Sequence, residues 1–154
     1  MHHPAISPRS LMPQPDGVSW ASSPTVRRVM QGNRDRDTRS ELALRSAAWR
    51  LGLRYRVAFT PVPGLRRKAD LVFTRARVAV FADGCYWHGC PDHGHVPRTN
   101  AAYWAAKLGR NRTRDAEADR RLSEAGWLVL RVWEHEDPAA AAQRLAILVS
   151  ARRP

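Results

Sequence analysis

Two short apolar runs, Ala69 to Phe73 and Val78 to Ala82, stand only four residues apart, with Thr74 to Arg77 between them. A strand with one wet face alternates apolar and polar side chains, whereas runs this nearly continuous need cover on both faces. They predict two neighbouring strands joined by a tight turn, in a sheet sandwiched between helices. Candidate helices lie on either side. Thr38-x-x-Glu41 has the spacing of a capping box, and Leu44, Ala47, Ala48 and Leu51 follow at i, i+3, i+4, i+7 on one face before Gly52 closes the segment. Tyr55, Val57 and Phe59 alternate with polar residues as a strand does, and Pro61 to Gly64 ends it. Further on, Asn100 to Leu108 has the pattern of a short helix and Asn111 to Glu124 that of a longer one stopped by Gly126. Trp127 to Trp133 reads as a buried strand, and Asp137-Pro138 as the cap and first turn of a last helix reaching Ala151. Helix, three strands, helix, strand, helix makes a small α/β domain.

A length of 154 residues suits one domain. Residues 1–24, rich in Pro and Ser and without periodicity, are expected to form a disordered tail. The domain is placed at 25–154, opening with a basic arm over 25–39 that carries Arg27, Arg28, Arg34, Arg36 and Arg39. Lys+Arg number 26 against 14 Asp+Glu, a net charge of +12, and all the cations except Lys68 and Lys107 are arginines. The planar guanidinium pairs with phosphate in bidentate fashion, so nucleic acid is the expected partner. No apolar stretch approaches the roughly 20 residues that span a bilayer, and no compact signal core is visible, so no membrane partner and a cytoplasmic, nucleoid-associated location are expected.

The chemistry-bearing residues cluster. Both cysteines, Cys85 and Cys90, lie in Cys85-Tyr86-Trp87-His88-Gly89-Cys90-Pro91-Asp92-His93, directly after the second apolar run, with His95 close behind. In a cytoplasmic chain a close Cys pair points to a metal rather than a disulfide. Asp70 lies early in an apolar strand, where a carboxylate needs a bound cation or an ion pair with Arg66 or Arg67, unless it faces solvent at the strand mouth. Asp83 ends the next strand, so the two carboxylates are expected to converge at one end of the sheet. With a glutamate from a preceding helix, that is the usual magnesium arrangement of nucleases. Asp115 shares an inward helical stripe with Ala118 and Leu122. His88 is a plausible partner, an Asp–His pair being suited to general-base work.

The segment Phe81-Ala82-Asp83-Gly84-Cys85-Tyr86-Trp87-His88 resembles the signature of the very short patch repair (Vsr) DNA mismatch endonucleases. The match extends in order through Met30, Arg36-Asp37-Thr38, Glu41, Pro63-Gly64, Ala69-Asp70, Tyr103-Trp104, Lys107, Asn111, Arg114-Asp115, Gly126-Trp127 and Trp133-Glu134. The resemblance implies a restriction-endonuclease-like core related to the PD-(D/E)xK nucleases, with a small central mixed sheet flanked by helices. It also implies magnesium-dependent nicking of duplex DNA 5′ to the T of a T:G mismatch, the lesion left when 5-methylcytosine deaminates, in a context of the CC(A/T)GG type. The expected partners are mismatched duplex DNA and other mismatch-repair proteins, with the chain acting as a monomer.

By the same resemblance, Asp70 is the metal-binding aspartate and Ala82 offers its main-chain carbonyl to magnesium. Glu41 reaches the metal's water shell, in competition with its capping role. His88 activates the attacking water, and Asp115 orients His88. Asp83 stands where the best-known member has histidine and is assigned to metal-bound water, and the lysine of the wider nuclease pattern is absent. For zinc the resemblance implies a structural site, and this chain offers Cys85, Cys90, His93 and His135, with His95 as the rival fourth ligand. Zinc accepts thiolate and imidazole tetrahedrally. Tyr86 and Trp87 are expected to wedge beside the mismatch, with Met30 entering from the other side. Trp49, Trp104, Trp127 and Trp133 read as core or packing residues. Arg27, Arg28, Arg36, Lys107 and Asn111 are placed on the DNA. The alternatives are a non-catalytic zinc-stabilised DNA-binding module and a PD-(D/E)xK nuclease of another specificity.

Overall fold

The computed structural model describes residues 36–154. The tail expected over 1–24 and the part of the arm holding Arg27, Arg28 and Met30 lie outside the described residues. The elements run α1 (Arg39–Arg50), β1 (Arg56–Phe59), β2 (Ala69–Phe73), β3 (Val78–Asp83), α2 (Cys85–His88), α3 (Ala101–Glu124), β4 (Leu128–Trp133) and α4 (Pro138–Arg152).

The four strands form one sheet in the order β1-β2-β3-β4. The β1–β2 and β2–β3 pairings are antiparallel and β3–β4 is parallel. This is an α/β fold with a small mixed sheet. The β2–β3 connection closes through Arg77 N–H on the Thr74 carbonyl at 3.3 Å, with Arg77 at φ 51°. The return from β3 to β4 is a crossover through α2 and α3, as a parallel pair requires.

The continuous apolar strands are covered on both faces. Leu71, Phe73, Val78, Val80 and Val132 pack against Leu44, Ala47 and Ala48 of α1 and Ala141, Ala142, Leu145 and Val149 of α4. On the opposite face Val72, Ala79 and Phe81 meet Ala118 and Leu122 of α3. At the start of α1, Thr38 Oγ1 accepts from Glu41 N–H at 3.3 Å, while Glu41 Oε2 accepts from Asp37 N–H at 2.8 Å, one residue before the box's usual partner. Asp137 accepts from Ala140 N–H at 3.0 Å, with Pro138 in the first turn of α4.

Four expectations need correction. The helices anticipated over 100–108 and 111–124 are a single helix of 24 residues, α3. Gly109 weakens a helix by about 1 kcal/mol relative to Ala, but Trp104 and Leu108 before it and Asp115, Ala118 and Leu122 after it are all buried, and tertiary packing outweighs the local preference. Leu51 is exposed rather than inward, because α1 ends at Arg50 and Leu51 is its C-cap. Trp49, expected to be packed, is 55% exposed, with the Arg54 guanidinium 3.6 Å from its ring centroid. Most of β4 is only half-buried, since it is an edge strand.

A Cβ added at Gly109 meets nothing within 4 Å. Gly109→Ala should therefore stabilise the protein by about 0.5–1 kcal/mol through the reduced freedom of the unfolded chain. Urea unfolding checks this, and a lowered midpoint would show that the position is constrained in some other way.

Candidate active site and metal centre

The crossover brings three chain-distant groups together. Asp83 ends β3, His88 ends α2, and Asp115 lies on the sheet-facing side of α3, and their ligand atoms all fall within 4.8 Å of one another. His88 Nδ1 lies 2.5 Å from Asp115 Oδ2. An ionised Asp115 can only accept, so Nδ1 carries a proton, and in the neutral ring Nε2 holds the lone pair. Burial pushes the Asp115 carboxyl up, but the His88 hydrogen bond and the charges of Arg67 and Arg131 more than reverse this, and its pKa is lowered overall. Asp115 therefore stays charged and holds the ring. Nε2 faces the Arg67 guanidinium at 3.5 Å.

Asp70 and Asp83 are neighbours with different attachments. Asp70 Oδ2 accepts from the Ala82 amide at 2.7 Å. Burial pushes its carboxyl up to about 6; the Ala82 amide opposes this, the charges of Glu41 and Asp83 reinforce it, and Arg67 opposes it again. Asp83, 1% exposed, is bound instead to Arg131, whose Nη1 lies 2.6 Å from Oδ2. Glu41, 4% exposed, is held by the Asp37 amide and by Arg45 at 3.2 Å.

Sequence reasoning passed over Arg131 and weighed Arg67 only as an ion-pair partner for Asp70, whereas Arg67 pairs with Asp115 and Asp83. Arg131 interrupts the apolar Leu128-Val129-Leu130 and Val132-Trp133 of β4. The logic applied to Asp70 holds for it equally, since a charge in such a strand needs an opposite partner. It has three: besides Asp83, Nε and Nη2 bind Asp119 at 3.0 and 2.6 Å, and Nη2 lies 3.8 Å from Asp115 Oδ1.

The second cluster is built by the tight chain path after β3. Four ligand atoms, from Cys85, Cys90, His93 and His135, lie within 4.8 Å of one another. Cys85 Sγ to His135 Nδ1 is 3.1 Å, Cys90 Sγ to His135 Nδ1 3.7 Å, and Cys90 Sγ to His93 Nδ1 3.9 Å. A tetrahedral zinc sets sulfur–nitrogen edges of about 3.6 Å. Asp92 Oδ2 lies 3.9 Å from His135 Nε2, so a carboxylate backs the imidazole whose other nitrogen faces the thiols. Burial pushes the Cys85 thiol up to about 11. Burial also opposes ionisation of Cys90, but the His93 and Asp92 amides and the His93 ring leave that thiol lowered. Two glycines permit the path. Gly89 ends α2 at φ 68°, and a Cβ at Gly94 would lie 2.5 Å from the Cys90 carbonyl oxygen. His95 is not in the four-ligand cluster and packs edge-on against Tyr86 with ring centroids 5.7 Å apart.

Tyr86 and Trp87 belong to neither buried core cluster. Their rings meet at 90° with centroids 4.9 Å apart and join Trp104 at 5.7 and 6.0 Å. Lys107 Nζ lies 5.1 Å from the Trp87 ring centroid, which places a cation on the aromatic group. Asn111 Nδ2 donates to the Trp87 carbonyl at 3.0 Å and so braces the end of α2. Arg36 is exposed beside Asp37.

The family model described as DNA mismatch endonuclease Vsr matches residues 22–93. The chain is 54% identical over 112 residues to the type II nicking enzyme V.NaeI of Lentzea aerocolonigenes, covering 71% of this chain and 68% of that one. It is 41% identical over 112 residues to the type II nicking enzyme V.NmeDIP of Neisseria meningitidis serogroup C, covering 71% and 74%. With the DNA mismatch endonuclease Vsr of Escherichia coli (strain K12) it shares 39% over 104 residues, 64% of this chain and 62% of that one. A non-catalytic module is thereby set aside. On these likenesses the chain belongs to the Vsr family of DNA mismatch endonucleases, and is a DNA endonuclease with a restriction-endonuclease-like fold.

Proposed function

We propose that this endonuclease nicks duplex DNA 5′ to the T of a T:G mismatch with magnesium at Asp70 and zinc at the Cys/His cluster, initiating very short patch repair. The observation that carries the reading is the His88–Asp115 pair, whose acceptor nitrogen lies on the same short helix as the Tyr86–Trp87 aromatic pair.

Magnesium fits the residues at its site. Asp70 is a carboxylate raised by burial and by the like charges of Glu41 and Asp83, which a hard cation taking oxygen ligands would neutralise. Asp70 and the Ala82 carbonyl would hold it and Glu41 its water shell, and the ion would supply Lewis-acid stabilisation of the phosphoryl oxygens. Asp115 holds His88 in one tautomer, and His88 Nε2 takes the proton of the attacking water. Asp83, held by Arg131, would accept from metal-bound water. Zinc fits four donors that already approximate its tetrahedron, and would fix the chain on either side of His88. Tyr86 and Trp87 would stack beside a T:G pair already weakened, while Met30, Arg27, Arg28, Arg36 and Lys107 engage the duplex and Asn111 holds the wedge in place. The protein would act as a monomer near the nucleoid, and no helix among the described residues is long and apolar enough to cross a membrane.

Asp70→Asn should abolish nicking of a T:G duplex in magnesium while leaving mismatch binding intact. The same change has a signature without metal. The folded carboxyl keeps its proton up to about pH 6, whereas the unfolded one releases it near 4, so the stability that this proton confers is full below about pH 4 and lost as pH rises through 6. At pH 8 the charge therefore opposes folding, and Asp70→Asn should raise metal-free stability by about 3 kcal/mol. Nicking assays and melting curves at pH 4 and pH 8 check both; wild-type nicking by Asp70→Asn would overturn the metal assignment.

One zinc per chain should survive dialysis that strips magnesium, and Cys90→Ser should lose it together with several degrees of melting temperature. Elemental analysis of the purified protein decides this; zinc-free protein with unchanged melting would refute the four-ligand site.

Mismatch preference should separate from phosphate affinity. Trp87→Ala is expected to lose most of the preference for T:G over matched duplex while keeping the wild-type salt slope, because stacking contributes about 1–3 kcal/mol per base and the slope reports phosphate contacts. Affinities for both duplexes across a salt series provide the test, and retained preference would return Trp87 to a packing role.

A further inference from the structure

Arg67 lies two residues after the buried Leu65 and two before the buried Ala69, so the loop that carries it is pinned to the sheet on both sides. Its side chain is 33% exposed. Nη1 lies 2.8 Å from Asp115 Oδ1, and Nη2 lies 3.6 Å from Asp83 Oδ1 and 3.5 Å from His88 Nε2. The N–H groups are not aimed at the carboxylates. Asp83 Oδ1 and Asp115 Oδ1 are both buried with no hydrogen-bond donor among the described residues. Arg131 differs: it is 19% exposed and hydrogen-bonded to Asp83, Asp119 and the Asp115 carbonyl. One arginine is committed to the protein, while the other is one-third exposed and spends a hydrogen bond only on His88 Nε2 among the described residues.

Charge makes the same distinction. Asp83, Asp115 and Asp119 face Arg131 and Arg67, so without Arg67 the cluster would present two uncompensated negative charges to an approaching phosphodiester. A water placed at His88 Nε2 would also lie beside the Arg67 guanidinium, within reach of the oxygens of the phosphate that it attacks.

The geometry points to Arg67 as a catalytic residue that binds a non-bridging oxygen of the scissile phosphate. This assignment rests on the proposed nicking reaction. The water oxygen bonds to phosphorus as its proton passes to His88 Nε2. The P–O3′ bond breaks with its electron pair on O3′, which takes a proton from solvent, leaving a 5′-phosphate and a 3′-hydroxyl. Negative charge builds on the non-bridging oxygens during this step, and the guanidinium, rigid, always charged and bidentate, is suited to that position.

Two arms test it on the full chain. In single-turnover nicking of a T:G duplex, Arg67→Ala should fall at least a hundredfold, with Arg67→Lys intermediate and added guanidine restoring the Ala variant about tenfold. In metal-free binding, replacing the scissile phosphate by an uncharged methylphosphonate should weaken the wild type about tenfold and Arg67→Ala hardly at all. Melting temperature checks folding, and Arg67→Gln, which keeps length without charge, replaces Ala if that variant does not fold. Nicking at the wild-type rate by the neutral variant, or an equal methylphosphonate penalty in both proteins, overturns the assignment. The binding arm needs no turnover, so a wild type inactive on T:G duplexes would sink the proposed reaction while the Arg67–phosphate coupling is still read.

Discussion

The parallel pairing of β3 with β4 is the constraint on which both clusters depend. Strands that run the same way cannot be joined by a hairpin, so the chain must cross over between them, and here it does so through α2 and α3. The crossover lays α3 against the face bearing Ala79 and Phe81, and that docking carries Asp115 to His88. The pairing also runs to the very ends of the strands, Asp83 opposite Trp133, and continues beyond them as Glu134 N–H donates to the Asp83 carbonyl at 2.9 Å. Glu134 Oε1 in turn accepts from Cys85 N–H at 2.8 Å, which sets His135 beside Cys85. Residues 50 apart in sequence thus become partners because two strands share one register.

Placing so many carboxylates at one sheet end would oppose folding if they were left bare. The remedy differs from residue to residue. Asp83, the most deeply buried, is neutralised by Arg131, since an unpaired charge at that depth costs several kcal/mol. Asp115 is stabilised in its charged form by His88 and two arginines. Asp70 receives one amide and little else, and its raised pKa records that deficit. A fold that gives two carboxylates arginine partners and leaves a third with an amide has the form expected of a metal-dependent site, where local instability accompanies function.

Much of this was legible before any coordinates. The capping box, the double-sided apolar strands, the Asp137-Pro138 start and the inward stripe of Asp115 follow from period and local chemistry, and each appears at its expected position. What escaped had tertiary causes. Gly109 looked like a break because local preference cannot weigh the packing of Trp104 and Leu108 on one side and Leu122 on the other. Leu51 kept the periodicity one step past the end of its helix. Arg131 was hidden among 24 arginines in a strongly basic chain, and Arg67 was weighed only against Asp70, because composition pointed outward to DNA and drew notice from arginines that turn inward to carboxylates.

The two clusters are mechanically one device. Cys85 and His88 are the first and last residues of a single helical turn, so the chain that carries the proposed general base is anchored at one end by a thiol of the Cys/His cluster. One helical turn alone has almost no stability, because fixing its dihedrals outweighs the gain from a single hydrogen bond. Asn111 on the Trp87 carbonyl, Asp115 on His88 and the Cys85 amide on Glu134 supply the restraint from outside. A zinc at Cys85, Cys90, His93 and His135 would tie the start of α2, the loop after it and the chain following β4 to one point. Its contribution to catalysis would then be positional, limiting how far His88 and the aromatic pair can drift from the bond to be cut.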